Sequence, residues 1–291
     1  MLKSVCVFVI IFLTVIFSAQ ANANPITIGI VPGGDPKNIE TESFVLAEKL
    51  QNKLGQPVQM YISKNYTGMI EALKNKKVDL AIMSSMTYIM AEKEVDIKVL
   101  LKKTYSNGAF YYSSIITRAA ESKIKSIKDL VNKNIAFVDE KSTSGYLYPQ
   151  VYLRKKLMED KKFKSIVFSG NHATSIDMLE SGKVDAVAVF SDDEAAKSGA
   201  WTRFAKSKKF KVKVLWVSDP IPNDPLVVRQ DFYDKNPKLT LEIMYNLIEI
   251  QSESSAVLNE ILGSSELMPA TSRQYDPVRE MIKTFQRNLK L

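Results

Sequence analysis

The sequence predicts a two-lobed α/β protein whose lobes are joined by a two-stranded hinge. Strand and helix patterns alternate from residue 26 to residue 83, an order typical of a largely parallel sheet. A helix–turn–strand segment then recurs later in the chain. Two further strand patterns bracket that recurrence. We expect lobe 1 to hold residues 24–115 and 216–291, and lobe 2 to hold residues 116–215.

The first 23 residues have the pattern of a secretory signal peptide. Lys3 supplies a positive start, an apolar run extends from Val5 to Phe17, and residues 21–23 form a small-x-small cleavage site. The run is shorter than the roughly 18 apolar residues that a spanning helix needs. We therefore expect export and a mature chain that begins near Asn24. An uncleaved membrane anchor is the alternative.

Composition limits the chemistry of the mature chain. The only cysteine, Cys6, lies in the predicted signal peptide, which excludes disulfides, cysteine-ligated metals and a lipidated cleavage site. Removal of Lys3 lowers the formal charge from +8 to +7, and a basic surface suits an anionic ligand or membrane face. An exported chain without a recognisable nucleic-acid motif is not expected to bind nucleic acid. We expect no metal, no cofactor and a monomer.

Each predicted element depends on its hydrophobic spacing. Apolar residues recur at helical spacing in the helices, as at Phe44, Ala47 and Leu50, and short apolar runs between turn residues mark the strands. Gly55 ends the first helix, and Asp276 followed by proline begins the last one. The predicted strands are 26–31, 58–62, 79–83, 111–117, 134–139, 166–168, 186–190 and 212–217, and the main helices are 40–54, 66–74, 239–251 and one from residue 276.

The recurring segment is the basis for two similar lobes. Residues 70–79 (IEALKNKKVD) and 176–185 (IDMLESGKVD) lie 106 positions apart. Each has the pattern of a helix, a tight turn and a strand whose carboxyl end delivers small polar residues. Ligands bind beyond the carboxyl ends of strands in open parallel sheets. Two such lobes facing each other therefore predict a cleft that closes by hinge motion.

The turn after strand 134–139 is the strongest candidate for a binding site. Ser142, Thr143 and Ser144 precede Gly145 and a helical stretch. Free backbone N–H groups and the helix dipole at such a turn favour an anion, and the hydroxyls add donors. An ordinary Ser/Thr helix cap explains the same residues equally well.

Three titratable side chains follow other strands at the expected cleft. His172, the only histidine, comes after strand 166–168, Asp192 follows strand 186–190, and Asp224 lies in a proline-rich turn after strand 212–217. A carboxylate beside an anion site can accept a hydrogen bond from a protonated oxyanion, or can pair with a ligand ammonium. A structural histidine and loop-capping aspartates are the alternatives.

These segments together resemble the periplasmic phosphate-, phosphite- and phosphonate-binding proteins of ABC transporters. The similarity extends from about residue 26 to residue 229. It implies a type II, Venus-flytrap fold, a phosphorus oxyanion held between the lobes, an inner-membrane permease as partner and a periplasmic location. The segments that carry it are 65–73 (NYTGMIEAL), 77–81 (KVDLA), 111–113 (YYS), 137–146 (FVDEKSTSGY), 168–172 (FSGNH) and 221–226 (IPNDPL).

The resemblance assigns a ligand role to nine side chains. It places the phosphorus oxygens on the turn 142–144, with His172 as a further donor, two tyrosines closing from lobe 1 and Asp224 near the hinge. Asp192 stands where aminophosphonate binders keep an acidic residue for the ammonium group. Ser84-Ser85 replaces the Gly-Pro of many relatives, which adds a hydroxyl and leaves the group on phosphorus open. The nine candidates are Tyr66, Ser84, Tyr111, Ser142, Thr143, Ser144, His172, Asp192 and Asp224.

The sequence leaves several alternatives open. A sensor subunit that docks to a membrane kinase would use the same cleft as a transport protein. An enzyme would need a set such as His172 with Ser142 or Ser144 and an acid, and we expect no catalytic residues. A cleft for another oxyanion or an organic acid is a further alternative. The sequence does not separate phosphate, phosphite, methylphosphonate and 2-aminoethylphosphonate as ligands.

Overall fold

The computed structural model describes residues 24–31, 36–104, 108–121, 123–157, 163–253 and 266–289. The predicted signal peptide, residues 1–23, lies outside these ranges. Within them, twelve strands form two six-stranded sheets. No helix in the described ranges is long and apolar enough to cross a membrane.

The strands and helices follow in this order along the chain. The strands are β1 (Ile26–Ile30), β2 (Val58–Ile62), β3 (Leu80–Ile82), β4 (Ile97–Thr104), β5 (Phe110–Arg118), β6 (Asn134–Phe137), β7 (Ser165–Phe168), β8 (Ala186–Ser191), β9 (Val212–Val217), β10 (Ile221–Pro222), β11 (Pro225–Arg229) and β12 (Glu266–Pro269). The helices are α1 (Pro36–Leu54), α2 (Tyr66–Lys74), α3 (Ser85–Ala91), α4 (Tyr148–Leu157), α5 (His172–Glu180), α6 (Ala200–Phe204), α7 (Gln230–Lys235), α8 (Pro237–Glu253) and α9 (Asp276–Leu289).

The first sheet has the order β12-β4-β11-β3-β1-β2. Its strands β1, β2 and β3 run parallel, and β11, β4 and β12 pair antiparallel. Because side chains alternate along a strand, Leu80 and Val228 pack under α1 and α8, whereas Ala81 and Val227 pack under α2, α3 and α9. Gly29 lacks a Cβ, which would lie 2.6 Å from the Met69 sulfur, so α2 can approach the sheet closely.

The second sheet has the order β10-β5-β8-β6-β7, with β9 also paired to β5. Strands β6, β7 and β8 run parallel, and β5 is antiparallel to β8, β9 and β10. One face packs against α4 and the other against α5 and α6. The predicted two-lobed α/β fold is therefore present, with one sheet in each lobe.

The segment that recurs in the sequence builds the same unit in both sheets. Asp79, just before β3, accepts a hydrogen bond from the backbone N–H of Thr27 on β1 at 2.9 Å. Asp185, just before β8, accepts one from Asn134 on β6 at 2.8 Å. Each aspartate thus ties the start of one parallel strand to its neighbour, which explains why both copies of the segment end in Val-Asp.

Two adjacent crossings of the chain form the hinge between the sheets. One leads from β4 to β5 and the other from β10 to β11. They pair with each other, since the backbone N–H of Lys103 donates to the Asp224 carbonyl at 3.2 Å and that of Asn223 donates to the Ala109 carbonyl at 3.3 Å. Strands β5 and β9 lie wholly in the second sheet. The chain therefore crosses between the sheets before Phe110 and after Pro222, and the predicted lobe limits at residues 115 and 216 are wrong by about six residues because they cut through β5 and β9.

The C-terminal helix α9 packs against both lobes. Val278 and Ile282 are buried with α3 of the first lobe. Phe285 meets the ring of Tyr146 edge-on at 5.8 Å, and the guanidinium of Arg154 on α4 lies 5.4 Å from its centroid. The helix therefore packs apolar side chains against both lobes next to the hinge.

Element ends differ in part from the sequence prediction. All eight predicted strands are present within two residues at each end, but the patterns do not predict β4, β10, β11 and β12. Lys98, Lys102 and Lys103 interrupt the apolar run of β4 and hide it. The predicted helix start at Asp276 is preceded by a 3₁₀ turn, Ser272–Tyr275, so helical backbone begins four residues earlier.

Burial should decide how much an ion pair stabilises this fold. Arg229 is 7% exposed, lies 2.7 Å from carboxylate oxygens of both Asp79 and Asp231, and donates to the Val78 carbonyl at 2.9 Å. We expect Arg229→Met to lower the free energy of unfolding by about 3 kcal/mol, because it strands the inner carboxylate. Urea denaturation of the mature protein measures the change.

The matched control is Lys283→Met. Lys283 lies at the same 2.7 Å from Glu280, but both side chains are more than 60% exposed. We expect a change within about 0.5 kcal/mol. Equal losses for the two variants would contradict the assignment of Asp79 as a buried anchor of the strand starts.

Candidate ligand-binding site

The turn at residues 142–145 lies where the two lobes meet. Thr143 Oγ1 accepts a hydrogen bond from the backbone N–H of Met86 at 2.8 Å. The Lys141 carbonyl accepts from Ser84 Oγ and from Thr87 Oγ1, each at 3.1 Å. Ser84, Met86 and Thr87 belong to the start of α3 in the first lobe, so three hydrogen bonds join the lobes at this point.

The local geometry of this turn is a π-helical turn, Thr143–Leu147, that leads into α4. Ser142 caps it, because its Oγ accepts from the Gly145 backbone N–H at 3.1 Å. A Cβ at Gly145 would lie 2.5 Å from the Val138 side chain, so only glycine fits. The turn is thus a helix cap, as one interpretation of the sequence predicts. The cap uses the Ser142 oxygen as acceptor and leaves its hydroxyl hydrogen for another partner.

A serine that the sequence reasoning missed supports the turn from below. Ser113 lies on β5, is completely buried, and donates from Oγ to the Ser144 carbonyl at 2.6 Å. Ser142, Thr143 and Ser144 are themselves at most 2% exposed. The turn is therefore held rigidly by the second sheet.

Two tyrosines lie beside the turn. Tyr66 approaches from the first lobe, but Tyr111 is on β5 of the second sheet, so the expectation that both close from lobe 1 is wrong for Tyr111. The Tyr66 hydroxyl lies near the Ser142 side chain, and the Tyr111 hydroxyl lies near the side chains of Thr143 and Ser144. Burial raises the pKa of both phenols above the usual value, and the nearby Asp224 carboxylate raises it further. Both tyrosines therefore stay protonated at neutral pH and can donate a hydrogen bond.

Tyr66 and His172 occupy equivalent places in the two lobes. Each is the first residue of a helix that follows a parallel strand, and each is preceded by a capping asparagine. The side chains of Asn65 and Asn171 accept from backbone N–H groups three residues later, at 2.8 Å and 2.7 Å. The separation is again 106 positions. The sequence comparison misses this equivalence because the two aromatic residues differ.

His172 is buried and neutral. It is 7% exposed, its ring meets Phe190 edge-on at 4.9 Å, and Nδ1 has no hydrogen-bond partner among the described residues. Burial, assisted by the positive charges of Arg203 and Lys103, lowers the pKa of His172 to about 3. A neutral imidazole can donate one hydrogen bond and accept another.

Both predicted carboxylates are ion-paired with basic residues that the sequence reasoning missed. Asp224 Oδ2 lies 2.9 Å from Lys103 Nζ. Asp192 Oδ1 accepts a hydrogen bond from Arg203 Nη2. Lys103 lies on β4 and Arg203 on α6, at sequence positions that carry no motif, so only the fold brings them to the site.

Ser84 has a structural role at the edge of the site. Its Oγ accepts from the Thr87 backbone N–H at 3.2 Å and caps α3, while it also donates to the Lys141 carbonyl. The structure therefore gives this side chain a contact between the lobes. In the described part of the chain, no group of three or more His, Cys, Asp or Glu side chains could hold a metal ion.

Comparison with known proteins identifies the family. A family model described as ABC transporter, phosphonate, periplasmic substrate-binding protein matches residues 28–275. The chain belongs to this family. The predicted family is thereby confirmed, and its members are periplasmic proteins that bind a small ligand for a membrane permease.

Curated relatives of this phosphonate-binding family match most of the chain. A phosphonates-binding periplasmic protein of Escherichia coli is 25% identical over 268 residues, which cover 90% of this chain and 77% of the relative. A probable ABC transporter phosphite-binding protein of Prochlorococcus marinus is 22% identical over 281 residues, which cover 91% and 92%.

Solved structures of family members share the fold. The binding-protein component of a Pseudomonas aeruginosa ABC phosphonate transporter has a TM-score of 0.78 at 24% identity, covering 91% of this chain and 87% of that one. PhnD1 of Prochlorococcus marinus in complex with methylphosphonate has a TM-score of 0.75 at 19% identity, covering 90% and 98%. The predicted type II, Venus-flytrap fold is confirmed.

The buried histidine of this family member should show its neutral state directly. His172 is the only histidine, so untagged protein gives a single imidazole Cε1–H resonance. With a folded pKa of about 3, we expect that resonance to keep its neutral-form shift from pH 8 to pH 5 in an NMR titration. A midpoint near the ordinary value of about 6.5 would contradict the burial of the ring.

The lowered pKa of His172 should also affect how the free energy of unfolding depends on pH. The pKa of His172 is lower in the folded state than in the unfolded state. As the pH falls below about 6.5, the unfolded state therefore takes up a proton that the folded state does not, and the free energy of unfolding decreases. Between pH 7.5 and pH 5.5 we expect the wild type to lose about 1.4 kcal/mol more unfolding free energy than His172→Gln. Parallel pH profiles for the two proteins would contradict the lowered pKa.

The hydrogen bonds between the lobes should slow ligand release. Thr87→Val keeps the side-chain shape but removes one donor to the Lys141 carbonyl, so we expect a ligand bound in the cleft to dissociate about three to ten times faster. Stopped-flow displacement measures the rate. Thr240→Val is the control, since Thr240 is also completely buried but donates to the carbonyl of Asn236, the residue just before α8. Equal effects of both variants on the rate would contradict a role in closure.

Proposed function

We propose that the chain is the periplasmic solute-binding component of an ABC importer and holds a phosphorus oxyanion in the cleft between its lobes. The observation that carries this proposal is the cluster of buried, protonated hydroxyls where the lobes meet. Tyr66 contributes from the first lobe, whereas Tyr111 on β5 lies in the second lobe with Ser142, Thr143 and Ser144. No reaction is catalysed.

The donors suit a tetrahedral oxyanion. Each hydroxyl has one hydrogen to donate, and hydrogen bonds to a charged acceptor are stronger than those between neutral groups. The Ser142 oxygen already accepts from Gly145, which leaves its hydrogen for the ligand. His172 adds a donor from the opposite helix start, and Asp224 can accept from a P–OH group. The chain's relatives include a protein whose structure holds methylphosphonate, which supports the same ligand class here.

His172 is better suited to binding than to catalysis. A general base works best when its pKa lies near the operating pH. The pKa of His172 is lowered to about 3 by burial, so the imidazole is a weak base at neutral pH. This argues against the alternative of a Ser142 or Ser144 nucleophile activated by His172.

Capture follows from the hinge. The ligand first binds the rigid turn on the second lobe, and the first lobe then brings Tyr66 and the start of α3 onto it. Closure forms the hydrogen bonds from Ser84, Met86 and Thr87 to residues 141 and 143. An inner-membrane permease then recognises the closed form. We further propose that residues 1–23 direct export and that the protein acts as a monomer.

Calorimetry tests the proposal. We expect the mature protein, residues 24–291, freed of carried-over ligand, to bind at least one of phosphate, phosphite, methylphosphonate and 2-aminoethylphosphonate at micromolar concentration or below. Ser142→Ala and His172→Ala should each weaken that binding by about 1–3 kcal/mol, because each removes a hydrogen bond to a charged group.

The control is Ser165→Ala. Ser165 is exposed and donates to Asn134 Oδ1 at 2.8 Å, at the opposite end of β6 and β7 from the turn. Its removal should leave the affinity unchanged. Absence of binding to all four ligands would sink the proposal, and unchanged affinity in both site variants would sink the assignment of the turn.

A further inference from the structure

We propose that two ion pairs, Lys103–Asp224 and Arg203–Asp192, make the cleft select against phosphonates that carry an ammonium group. The preferred ligand then has an uncharged substituent on phosphorus, or none. This inference rests on the proposed function, because it concerns the ligand class of the same cleft. The acidic residues alone indicate the opposite preference.

The first pair lies on the hinge. Lys103 Nζ is 2.9 Å from Asp224 Oδ2, and the two side chains are 12% and 27% exposed. The backbones of the same two residues are also bonded, from the Lys103 N–H to the Asp224 carbonyl at 3.2 Å. The lysine is therefore fixed beside the carboxylate by the strand pairing itself.

The second pair is held by aromatic packing. Arg203 Nη2 donates to Asp192 Oδ1, and the two side chains are 30% and 13% exposed. The Arg203 guanidinium lies 4.9 Å from the centroid of Phe190, and Phe190 in turn meets the His172 ring at 4.9 Å. A cation over an aromatic face is stabilised there. Arg203 is therefore positioned from two sides.

Both pairs act on the groups proposed to hold the ligand. The positive charges of Arg203 and Lys103 both lower the pKa of His172. The negative charge of the Asp224 carboxylate raises the pKa of both Tyr66 and Tyr111. Each ion pair is formally neutral, and each lies near a proposed ligand group: Arg203 near His172, and Asp224 near the two tyrosines.

The pairing of these charges determines which substituents on phosphorus the cleft can accommodate. An ammonium group would need a carboxylate as partner, but each carboxylate already has a cation beside it. Displacing Arg203 from Asp192 would leave a partly buried guanidinium without its partner and would set two positive charges side by side. A phosphorus oxyanion with a methyl, a hydrogen or a hydroxyl on phosphorus makes no such demand.

A matched pair of ligands separates charge from size. 2-Aminoethylphosphonate carries an ammonium at neutral pH, and n-propylphosphonate has a methyl group of similar volume in its place. We expect calorimetry to show that the mature protein binds n-propylphosphonate at least tenfold more tightly. An equal or higher affinity for 2-aminoethylphosphonate would overturn the inference. The inference would also be overturned if methylphosphonate bound but neither 2-aminoethylphosphonate nor n-propylphosphonate bound to the wild type or to any variant. That result would mean that the cleft excludes the longer ligands by size.

Two variants test the mechanism. Arg203→Met frees Asp192 and Lys103→Met frees Asp224, so at least one of them should shift the ratio of the two dissociation constants about tenfold towards 2-aminoethylphosphonate. The ratio is used because both changes also affect the phosphoryl group, and that effect cancels. Lys98→Met is the control, because Lys98 lies on the same strand but over the ring of Tyr233 at 3.8 Å. It should leave the ratio unchanged.

The outcomes separate this inference from the proposed function. If phosphate, phosphite, methylphosphonate and both longer ligands all fail to bind, the proposed function fails. If a phosphorus oxyanion binds but the ratio stays the same in Arg203→Met and Lys103→Met, the function stands and the role of the ion pairs is wrong. A shift confined to one variant identifies the carboxylate that would otherwise hold the ammonium.

Discussion

The contact between the start of α3 and the turn after β6 is the interaction on which the rest of the site depends. Hydroxyl and backbone groups of one lobe meet a rigid turn of the other through Ser84, Met86 and Thr87. A buried polar group costs free energy unless it has a partner. The closed form is therefore most stable when the hydroxyls at the junction all have partners. A ligand that supplies several acceptors can bias the lobes towards the closed form, because it is bound better there than in the open form.

The repeated unit explains how a symmetric scaffold makes an asymmetric site. In both lobes an aspartate ties the parallel strands together at one end, and an asparagine caps the helix at the other. The residue after the cap differs, since it is Tyr66 in one lobe and His172 in the other. A protonated phenol can donate and accept, and a neutral imidazole can do both through separate nitrogens. The scaffold thus fixes where the groups lie, and the side chains set what each lobe offers.

Much of the fold could be predicted from local patterns, and much of the charge balance could not. Short apolar runs and the 106-residue recurrence predict both parallel cores, and hydroxyls before Gly145 predict the central turn. The strand β4 is hidden because it pairs with β11 and β12 from far along the chain, and lysines interrupt it. Lys103 and Arg203 escape prediction for the same reason. Their partners lie across the hinge or on another element, and sequence spacing does not report such distances.

Selectivity in this cleft follows from pairing charges before the ligand arrives. A site that met an oxyanion with unpaired cations would attract any anion of the right size. Here the cations are already beside carboxylates, and in the proposed binding mode the ligand is recognised by directional donors at Tyr66, Tyr111 and the turn. Hydrogen bonds distinguish ligands by their geometry and protonation state. A ligand that leaves a buried donor unpaired loses more binding free energy than one that only weakens a Coulomb attraction in solvent. The carboxylate of Asp224, next to Lys103, retains lone pairs for a P–OH group. The same pair can thus disfavour an ammonium group and still accept a protonated oxyanion.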